Sequence, residues 1–196
     1  MPRSTSPVVP TLAALALGLA VGVLTSFLQA VLDFPWLALV NAASPWLTTA
    51  FVAGALQSRL RTACWLGMAA TLLQVAGYYV TAELRGYDAG FTYVALWTVC
   101  AVVGGPVFGA AGRAWRTAAP AGLGIALLVA AYASEALVAY QLRLDYTPTA
   151  TFFLVIAVVL AATLPLHRRQ YGGLVRWLGP ACAAGLAGQL VLGLVA

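Results

Sequence analysis

Lysine is absent, and histidine, cysteine and acidic residues are scarce: one histidine, three cysteines and five carboxylates stand among 196 residues. Each scarcity excludes something. His167 has no second histidine with which to share a metal, and no serine or cysteine stands near it as a nucleophile. Cys64, Cys100 and Cys182 lie far apart within apolar runs and make no metal or redox spacing, so they read as small buried hydrophobes. No pair of acids lies inside the apolar stretches, and there is no phosphate-binding glycine loop. An intramembrane hydrolase needs groups of this kind. The chain is therefore expected not to be an enzyme, and neither a metal nor a cofactor is expected.

Charge of either sign is scarce as well. Charged residues make up 8% of the chain and hydrophobic ones 63%, against roughly 25% charged in soluble domains. The mean hydropathy is +0.94. A surface so poor in charge faces lipid, which makes the bilayer the first partner implied. The ten basic residues, all arginine, sit in ones and twos between apolar runs. A nucleic-acid binder would group them on one face with aromatics, so nucleic acid is not an expected partner. The missing lysine is assigned to a GC-rich coding sequence and not to chemistry.

The length allows one domain and, at about 20 residues per span, no more than seven crossings. Residues 1–10 read as a short cytoplasmic tail and residues 11–196 as a single transmembrane domain. The first apolar run, 11–32, is longer than the roughly 7–15 residues of a signal-peptide core and lacks a small-x-small cleavage site; it reads as a retained span. The second, 36–56, is interrupted at Ser44-Pro45, a helix-start signal because serine caps and proline at the first helical position forfeits no hydrogen bond. A short piece over 37–43 and a helix over 45–58 are expected there. Further runs cover 63–82, 91–112, 118–141 and 148–166. The last, 177–196, is long enough to span although Pro180, Gly185 and Gly188 weaken it. The fold expected is all-α: a polytopic transmembrane helix bundle of six or seven spans, the second broken at Ser44-Pro45.

With the N-terminus inside, the inner side receives Arg3, Arg59, Arg61, Arg113, Arg116, Arg168, Arg169 and Arg176, and the outer side only Arg85 and Arg143. Asp33, Glu83, Asp88 and Asp145 all fall outside. This bias predicts a cytoplasmic N-terminus; a spanning last run puts the C-terminus outside.

Glu135 is the only acid well inside an apolar run. A charge at the centre of a membrane helix costs at least about 2.5 kcal/mol, so such residues face the bundle interior and pair. It reads either as a ligand anchor or proton-linked site, or as a structural partner for Arg143 or Arg85 or a carboxyl that stays protonated. Tyr132 shares its helical face. At the same outer depth stand Gln29, Trp36, Asn41, Ser44, Trp46, Gln74, Tyr78, Tyr79, Trp97 and Tyr140. Interfacial belts account for tryptophan and tyrosine but not for Asn41, Gln29, Gln74 and Glu135. An outward-facing cavity with aromatic walls and a few polar anchors is the expectation. Ala14, Gly18 and Gly22 line one face of the first span with Ala16 and Ala20 beside them, and Gly105, Gly109 and Gly112 recur in the fourth. Such faces pack helices closely, within the bundle or against a second membrane subunit.

The segments Asn41-Ala42-Ala43-Ser44-Pro45-Trp46, Gly77-Tyr78-Tyr79 with Arg85-Gly86-Tyr87, and Gly104-Gly105-Pro106-Val107-Phe108-Gly109 resemble a family of small bacterial multi-pass membrane proteins of unknown function. The resemblance covers most of the chain to Arg116 and implies a bacterial plasma-membrane protein; it supplies no activity. A looser likeness, of architecture alone, is to the substrate-binding S-components of energy-coupling-factor vitamin transporters, which dock a partner through small residues of the first helix at the spacing of Ala16 and Ala20. Two functions follow as expectations. One is small-molecule binding or transport, with Glu135 as anchor. The other is a non-catalytic partner subunit that stabilises or regulates another membrane protein.

Overall fold

The computed structural model describes residues 8–88 and 90–195. Most of the expected cytoplasmic tail, with Arg3, lies outside the described residues. Among the described residues eight α-helices follow one another: α1 (Val8–Leu28), α2 (Ala38–Asn41), α3 (Ala43–Ala55), α4 (Leu60–Leu84), α5 (Phe91–Thr117), α6 (Leu123–Ser134), α7 (Thr147–Thr163) and α8 (Tyr171–Val195). A π-helical run, Glu135–Arg143, continues α6, and a 3-10 run, Leu164–Arg169, closes α7. The six long pieces are each long and apolar enough to cross a membrane. The protein is thus a multi-pass membrane protein built of helices.

The seventh crossing is the broken one. Gly18 and Gly22 of α1 lie against Ala70 and Gln74 of α4. Both pairs advance together, so α1 and α4 run parallel, and α2–α3 must bring the chain back between them. α3 has 13 residues, about 20 Å at 1.5 Å per residue, which falls short of a hydrocarbon core of about 30 Å. α2 and the segment before it complete the distance. The break lies at Ala42, whose backbone is extended (φ −100°, ψ 153°). α3 therefore starts two residues before the expected Pro45, Ser44-Pro45 lies inside its first turn, and Ser44 does not cap its own helix.

Close packing rests on glycine. A Cβ on Gly54 would meet the backbone of Gly109, one on Gly67 that of Gly105, and one on Gly112 that of Phe51. α3, α4 and α5 thereby approach to backbone contact, the packing that small residues permit in lipid. Ala14, Gly18 and Gly22 are buried against this unit, whereas Ala16 and Ala20 are exposed. A second core surrounds α6: Ile125, Leu128 and Phe153 are almost wholly buried. α6 is the most buried of the six long spans and α8 the least.

At the end where most arginines gather, side chains bond turn carbonyls instead of carboxylates. Arg113 donates to Ser58 O at 2.9 Å, Arg116 to Gln57 O at 3.2 Å and Arg168 to Thr117 O at 3.1 Å. His167 stands in the same turn, its Nε2 3.0 Å from Arg116 O, as an interfacial residue. Buried Gln170 ties the turn together, accepting from Gly122 N and donating to Trp115 O. At the opposite end Arg143 donates to Gly193 O at 3.2 Å, so α8 runs parallel to α6 and its end lies beside Arg143.

Candidate functional site

A helix start leaves its cap and first three N–H groups without intrahelical partners, and in a membrane none can turn to water. The start of α3 satisfies all four positions. Ala42 N donates to Ala38 O at 3.0 Å. Ala43 N donates to Glu135 Oε1 at 2.8 Å and Ser44 N to Glu135 Oε2 at 2.7 Å. Pro45 has no N–H to satisfy. Ser44 Oγ adds a third bond to Glu135, 2.6 Å to Oε2. On the other side of the break, Trp46 Nε1 donates to Val40 O at 3.0 Å. Glu135 is thus a cap supplied in trans by α6, at the positive end of the α3 dipole. It pairs with neither Arg143 nor Arg85, whose guanidinium groups bond Gly193 O and Ser26 O. Tyr132, one turn before Glu135, adds a contact between its hydroxyl and Thr48 Oγ1 of α3 at 3.0 Å. The α-helix widens into the π form at Glu135 itself, as helices often do at functional positions. Beyond it, Tyr140 and Tyr132 both pack on Phe153 of α7, at 5.1 and 5.6 Å.

Beside this joint stands an aromatic cluster. Trp46 lies 5.1 Å from Trp97 and 5.7 Å from Tyr78, and Tyr78 lies 4.9 Å from Tyr79, all ring centre to ring centre. Tyr78 donates its hydroxyl to Gln29 Oε1. Trp46 and Trp97 form one wall of an apolar cavity of about 490 Å³ between α3, α4, α5 and α8, which Thr71, Cys100 and Gly104 also line. Its other lining residues Val99, Val103 and Val191 are more than half exposed, and α5 and α8 hardly meet. The cavity therefore opens sideways, toward lipid. A second cavity, of about 380 Å³ and polar, lies at the end of α1 and α4, among Ser26, Gln29, Tyr78, Tyr79, Arg85 and Asp88.

The structure thus divides the expected site residues. Trp46, Tyr78, Tyr79, Trp97 and Gln29 come together. Glu135 and Tyr132 hold the break. Gln74 is wholly buried on α4, and neither of its amide atoms has a partner. Trp36 is exposed and stacks edge-on against Phe152, and Asn41 is exposed at the end of α2; neither joins the cluster. Sequence reasoning missed Thr48, Gln170 and Gln189, the last a buried amide on α8. A polar residue in an apolar run was the signal for Thr48 and Gln189; Gln170, which follows His167-Arg168-Arg169, carried none. Among the described residues no three of His, Cys, Asp and Glu gather as metal ligands.

Six long apolar helices around a broken crossing, with a side-opening cavity at the break, define a polytopic helical membrane protein. The chain belongs to the family of unknown function designated DUF6518, whose model matches residues 1–196. The relationship therefore extends past Arg116 to the C-terminal helices. No curated protein and no solved structure matches the chain, so the likeness to energy-coupling-factor subunits has no match behind it.

Proposed function

We propose that the protein binds a lipophilic small molecule in the cavity beside Trp46 and Trp97, and that it is a binding protein and not an enzyme. The observation that carries this reading is the cavity itself. Its volume, about 490 Å³, falls within the roughly 300–1,000 Å³ of small-molecule sites, and its wall is aromatic and apolar. Glu135 enters as the residue that fixes this wall. Its oxygens are occupied by Ala43 and Ser44, and Ala43 lines the cavity. The arginine-rich end is read as cytoplasmic, in a bacterial plasma membrane.

Gly188 offers the test. It lines the cavity, and a Cβ there meets open space, so Gly188→Phe fills the volume without displacing backbone. Native mass spectrometry with added monoolein is expected to give a one-to-one complex with the natural protein and none with the variant. An equal adduct in both overturns the reading. Flux of the bound molecule in proteoliposomes would extend it from binding to transport.

One observation favours a second reading, a partner subunit. Gly172 and Gly179 of the sparsely buried α8 also face open space, and Ala16 and Ala20 are exposed on α1. This reading expects a second membrane protein to co-purify with the natural chain and to be lost in Gly179→Leu.

A further inference from the structure

Four residues of α4, Thr71, Val75, Tyr78 and Ala82, and its C-cap Arg85 recur at intervals of three or four and so share one stripe. Thr71 and Val75 line the apolar cavity; Tyr78, Ala82 and Arg85 line the polar one. The two cavities are thus successive compartments along one helix face, and they meet where Tyr78 of the polar one packs on Trp46 of the apolar one. From Thr71 to Arg85 the helix rises about 21 Å at 1.5 Å per residue. That is one leaflet, half of a hydrocarbon core of about 30 Å and a head-group layer.

The polar compartment carries both signs of charge, with no ion pair among the described residues. Arg85 donates Nη1 to Ser26 O, and its guanidinium lies over the rings of Phe27 and Tyr87, at 4.7 and 5.2 Å. Nη1 also reaches Ser26 Oγ at 3.4 Å, and among the described residues Nε and Nη2 have no acceptor. Asp88 lines the same compartment and makes no ion pair with it. An arginine held by two rings and a carbonyl, with a free edge turned to a cavity, suits a tetrahedral or planar anion. A carboxylate lining the same compartment suits an ammonium.

Resting on the reading that the apolar cavity binds a lipophilic molecule, we infer that its ligand is a single-chain amphiphile with a zwitterionic head: the chain beside Trp46 and Trp97, the anionic group on Arg85, the ammonium at Asp88. The two compartments on one helix face carry the inference. A lone interfacial arginine would need neither the cavity nor a carboxylate in its lining.

Native mass spectrometry in a neutral detergent tests it, with three probes of one acyl chain: lysophosphatidylethanolamine, lysophosphatidic acid and monoacylglycerol. The natural protein is expected to hold the ethanolamine lipid best and the neutral lipid least, with about tenfold lost when the anion's partner is removed. Arg85→Gln should erase the advantage of both phosphate lipids, while Asp88→Asn should erase only that of the ethanolamine. Equal binding of all three by the natural protein overturns the head-group assignment and leaves the apolar cavity standing. Binding of none overturns both. Glycerophosphoethanolamine, which has no chain, is expected not to compete; full competition would make the polar compartment a site for a free solute and overturn the amphiphile. The ranking in the natural protein decides the matter even where Arg85→Gln fails to fold.

Discussion

Gly22 of α1 lies so close to Gln74 of α4 that a Cβ on the glycine would overlap the glutamine's backbone carbonyl, and the side chain of that same glutamine is buried with no hydrogen-bond partner. Packing at this contact is tight and polar satisfaction is poor. Opposite substitutions at the two positions should therefore move stability in opposite directions.

Gly18→Leu or Gly22→Leu should unfold the bundle, at a cost beyond the ~1–3 kcal/mol of ordinary overpacking, because the atoms met are backbone. Ala16→Leu and Ala20→Leu, on the exposed face of the same helix, should stay within about 0.5 kcal/mol of the natural protein. Thermal unfolding in detergent measures both. Equal tolerance on the two faces would mean that α1 does not pack on α4 as described.

Gln74→Leu should raise the melting temperature. A buried amide without a partner costs about 1–3 kcal/mol, and leucine is close to it in volume. A clear loss of stability would show that the amide is bonded in the folded protein, to water or to a ligand.

Glu135→Gln turns an NH₂ toward donors that need acceptors, and Glu135→Ala leaves three donors empty. We expect losses of about 2–3 kcal/mol for the first and more for the second, read as lower yield and earlier unfolding. A Ser44→Ala change removes only the hydroxyl bond and should cost about 1 kcal/mol. If Glu135→Gln left stability untouched, the acid would not be the cap of α3.

Trp46→Phe keeps the ring beside Trp97 and deletes the indole N–H that holds Val40 O. The expected loss is about 1–2 kcal/mol, and it should appear first as faster hydrogen exchange around Val40 and Ala42, before global unfolding.

The membrane class and the number of long helices were legible because lipid imposes a length and a composition on every span. The break was legible to within two residues, since Ser44-Pro45 marks a helix start wherever it stands. Its partner was not. Glu135 announced itself as a buried acid in need of neighbours, and Arg143 and Arg85 were the obvious ones by charge. The donors it meets are backbone N–H groups, which carry no sequence signature; only the three-dimensional course of α2–α3 exposes them. The division of the aromatic set follows the same rule. Depth along the membrane can be counted from helix ends, so Trp46, Tyr78 and Trp97 were placed at one level. Rotation about the bundle cannot be counted, and Trp36 and Asn41 share that depth while facing elsewhere.

The break in the second crossing also fixes an order of events during synthesis. Ala43 and Ser44 leave the ribosome about ninety residues before Glu135, and until α6 is threaded into the bilayer their N–H groups have nothing in the chain to bond. A nascent protein that ends after α5 holds the glycine-packed unit of α1, α3, α4 and α5 with an uncapped helix start at its heart. Such a fragment should be drawn to chaperones and membrane proteases. The complete chain passes them by once a single carboxylate closes the joint.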